Sequence, residues 1–222
     1  MRAQPGLSWR DDGWVTGQAG PPTPAFIDGH TTEVKVADGT PVLLRPITPD
    51  DKRLLAEGFR RMSPESRHSR FFVTQSELST SMLAYLTEVD YVDHFAWVAL
   101  AGDDRTGAGV ARYIRLRDRP AAAEAAVTVV DDFQHRGIGS LLLEALTVVA
   151  LEQSVTVFVG HVLVENLAMR AILEHAGARL AFDSPGVLRF EIDLPAQLGE
   201  LRTTPLYAVL RAVARGEGLL PA

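Results

Sequence analysis

Along most of this chain, apolar residues come in short alternating bursts, separated by stretches where they recur every three or four positions. Val42–Ile47 is a compact apolar run, which predicts a first central strand. Upstream of it, TEVKVADGTPVLLRPI alternates on either side of Asp38-Gly39, which predicts a hairpin turning at that pair. Thr48-Pro49-Asp50-Asp51 has the features of a helix start: a threonine cap, proline at the first position and carboxylates in the first turn. Leu54, Leu55 and Phe59 supply the apolar face of that helix. Ser63-Pro64-Glu65-Ser66 opens a second short helix in the same way. Ser76 to about Val89 predicts a third, with Leu78, Met82, Leu83 and Leu86 on one side.

Strands resume at Ala96–Ala101 and Gly107–Leu116, an antiparallel pair joined at GDDRTG, and at Ala122–Val130. A helix over Gly137–Gln153, a strand over Val155–Leu163 and a helix over Asn166–Ala176 follow. Two short strands, Ala178–Phe182 and Val187–Ile192, close the sheet. This order predicts one α/β domain, a mixed and mostly antiparallel sheet with helices on both faces, over residues 41–195. Residues 1–40 read as a Gly- and Pro-rich tail ending in the hairpin. Within 196–222, Leu206, Val209, Leu210 and Val213 have the spacing of an amphipathic helix, which packs on this domain or on a second copy in a homodimer.

Composition narrows the function classes. The 222 residues carry a net charge of -6 without a long basic run, which argues against nucleic acid as a partner. The chain has no cysteine, which removes disulfides, thiolate metal sites and an acyl-cysteine intermediate; no metal is expected. No apolar run approaches the roughly 18 residues of a membrane span. The N-terminal MRAQPGLSWRDDGW lacks the apolar centre of a signal peptide, so a cytoplasmic location is expected.

Candidate chemistry centres on DDFQHRGIGSLLLEAL, residues 131–146. Glycine costs a helix about 1 kcal/mol relative to alanine, yet Gly137 and Gly139 stand where a helix begins. A triphosphate-binding loop would place Lys-Ser/Thr after the last glycine, where this chain has Ser140-Leu141. A dinucleotide turn would place a third glycine at Leu142. Two readings stay open on the residues alone. One is a tight turn with no ligand. The other is an anion site, where backbone N–H groups and the helix dipole face a pyrophosphate and Arg136 adds charge.

Gln134-His135-Arg136-Gly137-Ile138-Gly139 resembles the Gln/Arg-x-x-Gly-x-Gly/Ala signature of the GNAT N-acetyltransferases. Val127-Thr128-Val129 resembles that family's strand end beside pantetheine, and Glu165-Asn166 through Gly177 resembles its Asn-led helix. The resemblance covers about Val42 to Asp193 and implies a GNAT fold with acetyl-CoA as co-substrate. It implies cofactor contacts from Val127, Thr128, Val129, Gln134, His135, Arg136, Gly137, Ile138, Gly139, Ser140 and Asn166; Asn166 also reads as a plain helix cap. LLRPITPDD, MSPESRHSRFF and LTEVDYVDHFAWVAL are similar to the acetyltransferase domain of bacterial protein-lysine acetyltransferases. That similarity implies a protein lysine as the amine acceptor. A small amine, or a module that binds acetyl-CoA without turnover, stays open.

Acetyl transfer from a thioester needs a neutral amine, hence a base, and a donor for the developing oxyanion. With no cysteine to carry the acetyl group, direct attack in a ternary complex is expected. Glu124, alone in the apolar strand AAAEAAVTVV, reads either as a strand-edge surface charge or as the candidate catalytic base, and the resemblance implies the second. The backbone N–H near Val129 is the candidate oxyanion donor. Two difficulties attach to that pair. Five extended residues span roughly 16 Å, and strict alternation puts Glu124 and Val129 on opposite faces. The resemblance implies a β-bulge between them. Asp131 and Asp132 read as loop or capping residues, and His161 as a strand histidine or a rival base. Asp90, a turn residue by its setting, could help Glu124 attract a cationic acceptor. The family's thiolate-protonating tyrosine falls at Leu173, which has no proton to give.

Overall fold

Thr32–Lys35 (β1) and Pro41–Pro46 (β2) form the expected hairpin, with Gly39 at φ 85° in its turn and Asp38 Oδ1 accepting from Thr40 N–H at 2.9 Å. The computed structural model describes residues 27, 29–36, 38–71 and 77–195. The sheet therefore starts at Thr32, inside the expected tail, while the C-terminal amphipathic stretch lies outside the described residues.

After β2 a 3-10 turn, Pro49–Asp51, leads into α1, Lys52–Arg61. Asp51 is the organising residue here, and it is only 5% exposed. Its carboxylate accepts from the Thr48 N–H at 2.8 Å and holds Arg45 through two bonds, at 2.6 and 2.7 Å. Asp51→Ala should leave the Arg45 charge and the Thr48 donor unmatched, at a cost of about 3 kcal/mol in stability. Denaturant midpoints check this, and a loss under about 1 kcal/mol would refute it.

Helix α2 spans Pro64–Phe71, its first turn capped by Ser63 Oγ, which accepts from Ser66 N–H at 3.1 Å. Helix α3 spans Thr80–Thr87 and is capped by Ser79, whose hydroxyl accepts from Met82 N–H. The start expected at Ser76 lies outside the described residues. Asp90 holds a turn, as its setting suggests: its Oδ1 accepts from the N–H groups of Val92, Asp93 and His94.

The remaining elements are β3 (His94–Ala101), β4 (Thr106–Arg115), β5 (Ala122–Val129), α4 (Ile138–Glu152), β6 (Val157–Leu163), α5 (Leu167–His175), β7 (Arg179–Ser184) and β8 (Val187–Asp193). One sheet runs β1-β2-β3-β4-β5-β6-β8-β7, antiparallel throughout except for β5 and β6. That pair is parallel because α4 carries the chain back across the sheet between them. Helix α4 is apolar nearly all round, with Leu142 and Leu146 fully buried, as a helix laid on a sheet centre must be. Beneath it Phe95 packs edge-on against Trp97 at 5.3 Å and stacks with Tyr113 at 6.1 Å. The opposite face of β4 carries α1, whose Leu54 lies against Gly107.

Candidate active site

Strands β5 and β6 pair only over Ala122–Glu124 with Val157–Val159, and then diverge. Strand alternation says what faces the gap. Val130 N–H donates to Ala108 O on the β4 side, while Ala121 O accepts from Val157 N–H on the β6 side. Main-chain groups of Ala125, Val127 and Val129 therefore point toward β6. Past the last paired residue those of Val127 and Val129 border an open cleft of about 860 Å³. Gln134 Nε2–H donates to Val129 O at 3.2 Å and to Asp131 Oδ1 at 3.0 Å, tying the strand end to the turn that follows.

No bulge lies between Glu124 and Val129. The β4–β5 register runs unbroken from Gly109↔Val129 to Arg115↔Ala123, and the bulge in this part of the sheet falls between β3 and β4, at Ala99/Leu100. The expected bulge is thus corrected, and the parity problem resolves in another way. Glu124, Ala126 and Thr128 share the face of Arg112 and Ile114, whereas Val129 faces α4, its methyl close to Gly139. Val129 and Val127 offer backbone along the strand edge, which is open from either face. Glu124 and Val129 therefore need not share a face for both to border the cleft.

The turn answers why two glycines open a helix. Gly137 sits at φ 86° and His135 at φ 61°, left-handed conformations that turn successive N–H groups to one side. Among the described residues, none of the N–H groups of 135–140 has a backbone partner. A Cβ added at Gly137 would meet nothing within 4 Å, so that glycine serves backbone conformation. A Cβ at Gly139 would stand 2.9 Å from Ile172 Cδ1, so that one serves the contact between α4 and α5. Gln134, His135, Gly137, Gly139 and Ser140 line the cleft, as do Val127, Thr128 and Val129. Ile138 is core at 1% exposure, and the Arg136 guanidinium lies over the Phe133 ring, 3.6 Å from Asp38. Neither of those two side chains lines the cleft, unlike the expectation for them. Asn166 caps α5, accepting from Met169 N–H at 3.0 Å, and also lines the cleft. Asp131 ties the turn to α2. Burial works against its charge, but hydrogen bonds from Ser66 and Ser63 outweigh that and hold its carboxyl below the usual range.

Glu124 stands at the far end of the cleft, with His161 and the buried Phe190 on its β6–β8 side and Glu65, Tyr85 and Arg112 on its α2–α3 side. Leu173 is 2% exposed and borders the same space, so the side chain at the tyrosine position reaches the cleft but offers no proton. His161 Nε2 lies 3.9 Å from Asp183 Oδ1, and its enclosed Nδ1 has no partner among the described residues. Arg112 went unremarked in the sequence. It is 5% exposed, donates to Leu86 O at 3.1 Å and contacts His94 Nε2 at 3.0 Å. A guanidinium only donates, so His94 must accept there and be neutral.

Burial, reinforced by Arg112, pushes the His94 pKa down from 6.5 to about 3. A base whose folded pKa is depressed gives stability that is complete above its unfolded pKa and is lost on acidification. The melting temperature should therefore fall as pH drops from about 6.5 toward 3, and His94→Gln should flatten that slope. An equally steep slope in the variant would exclude His94 as its source.

Fold and cleft define a class, an α/β protein with a strand edge laid open between a turn of N–H groups without backbone partners and a carboxylate. Comparison with known proteins gives the family. Residues 42–179 match the family model of the acetyltransferase (GNAT) domain, and the chain belongs to that family. Acetyltransferase Pat of Mycolicibacterium smegmatis is 39% identical over 162 residues, 73% of this chain and 48% of Pat. The chain thus spans about half the length of that relative. Acetyltransferase PA5475 of Pseudomonas aeruginosa is 33% identical over 57% of this chain and 68% of its own length. Among solved structures, the GNAT domain of S. lividans PAT superposes with a TM-score of 0.69 at 32% identity, over 74% of this chain and 97% of that one. A cAMP-binding acyltransferase from Mycobacterium smegmatis gives 0.61 at 35% identity, over 86% of this chain and 55% of its own. Among the described residues no helix is long and apolar enough to cross a membrane.

Proposed function

We propose that this chain moves an acetyl group from acetyl-CoA to a primary amine, a protein lysine first among acceptors, by direct attack in a ternary complex. The observation that carries the reading is the open edge of β5. It runs from the free N–H groups of the 135–140 turn, past Val129 and Val127, to Glu124. Pyrophosphate suits the turn, pantetheine amides suit the strand edge, and the thioester then arrives near the carboxylate. Glu124 takes the proton of the incoming ammonium, and a strand-edge N–H, with Val127 nearer to Glu124 than Val129, meets the oxyanion. Membership of an acetyltransferase family and the likeness to Pat support the acetyl donor, and the resemblance of LLRPITPDD, MSPESRHSRFF and LTEVDYVDHFAWVAL to protein-lysine acetyltransferase domains supports the lysine acceptor.

A panel of small amines, tested beside lysine-bearing proteins with radiolabelled acetyl-CoA, tests the acceptor. Transfer to protein lysines at least tenfold more efficient than to any small amine is expected. The reverse order would make the chain a small-amine acetyltransferase, and no transfer to any amine would reduce it to an acetyl-CoA-binding module.

A further inference from the structure

The departing CoA sulfur must carry negative charge as the C–S bond breaks, and Leu173 cannot protonate it. We infer that the Arg112 guanidinium stabilises that thiolate, an inference that rests on the acetyl-CoA reading above.

Register places Arg112. On β4 it pairs with Ala126, and it shares a sheet face with Glu124 and Thr128. It is therefore the diagonal neighbour of Glu124, at a Cβ separation of roughly 7–8 Å. The pantetheine arm, two amides on short alkyl tethers, matches about four or five extended residues in length. An arm entering from the turn at Val129 brings its sulfur to the level of Ala125–Ala126, level with Arg112 across the width of β5. The arginine borders the cleft, is 5% exposed, and is held by His94 Nε2 at 3.0 Å and Leu86 O at 3.1 Å. It is a fixed charge, with little reorganisation left to make when the anion forms.

The step balances. The ammonium's first proton passes through Glu124 to solvent; the neutral amine nitrogen then bonds to the acetyl carbon, the C–S pair goes to sulfur, and the second nitrogen proton passes to Glu124. The thiolate rests beside Arg112 until water protonates it, and Glu124 returns its proton to solvent. The other titratable groups around this level are Glu124 on β5, Glu65 on α2, Tyr85 on α3, His94 on β3 and His161 on β6. The two carboxylates push a nearby thiol pKa up, opposite to the effect of Arg112, so the direction of the shift is decisive.

The product complex offers a readout that needs no acceptor. A cysteine thiol titrates at about 8.5, and the CoA thiol, farther from electron-withdrawing groups, titrates above that. CoA bound to the unmodified chain, followed by its ultraviolet thiolate absorbance against pH, should show an acid dissociation constant at least about tenfold above that of free CoA. Arg112→Gln should lower it to the free value or below, because the two carboxylates then act unopposed. Arg112→Lys keeps the charge but shortens and reshapes the donor, so its titration must differ from that of the unmodified chain; circular dichroism shows which variants fold. Bound CoA that titrates like free CoA, or an unchanged shift in either folded variant, overturns the inference. Calorimetry of CoA binding separates the two layers. No binding sinks the acetyl-CoA reading itself, whereas binding with an unshifted thiol sinks only the role of Arg112.

Discussion

Glu124→Gln should lower turnover by about 10²–10⁴-fold while acetyl-CoA affinity stays within about threefold. The amide keeps the size of the carboxylate and its place on β5 but cannot take a proton. An acceptor lysine is almost wholly protonated near neutral pH, and the attacking nitrogen needs a free lone pair. Glu124 lines the cleft just where the β5–β6 ladder ends, the opening in which the proposed substrate would lie. Raising the pH should recover part of the lost rate, because solvent then supplies the neutral amine that the glutamate no longer does. Steady-state rates with affinity measured in parallel decide this. A variant that keeps more than a third of its turnover would move the base elsewhere, with His161 the next residue to test.

Gly137→Glu should abolish acetyl-CoA binding, weakening it by about 10²-fold or more. Two effects act together there. A non-glycine residue at φ 86° carries about 1–2 kcal/mol of backbone strain. A carboxylate then stands among the N–H groups proposed to receive the pyrophosphate, and at about 4 Å two like charges near a protein surface repel by about 4 kcal/mol. Gly137→Ala separates the two. It carries the strain without the charge, a Cβ there meets nothing within 4 Å, and its binding should fall less than about tenfold. Glutamate and alanine variants with equal affinity would show that the turn does not receive the phosphates.

Much of this fold is legible in the sequence because each strand and helix buries one face in a shared core. The alternation at Val42–Ile47, the cap at Thr48 and the apolar helix after Gly137 are local patterns with local causes. The features that sequence reading missed depend on pairing across the chain. Arg112 reads as one polar residue in GVARYIR until the register sets it opposite Ala126, on the face of Glu124. The bulge was expected between Glu124 and Val129 to bring their side chains to one face. Strand parity describes side chains, whereas Val129 borders the cleft with main chain, whose direction follows from hydrogen bonds to β4 and β6. Gly137 and Gly139 look alike in sequence, and only packing separates a conformational role from a helix contact with Ile172.

The most direct test of the central claim is calorimetric titration of the unmodified, folded chain with acetyl-CoA. A site formed by the 135–140 turn and the open β5 edge predicts one-to-one binding that Gly137→Glu removes. A folded chain that binds no acetyl-CoA, or one whose binding survives Gly137→Glu unchanged, would contradict it.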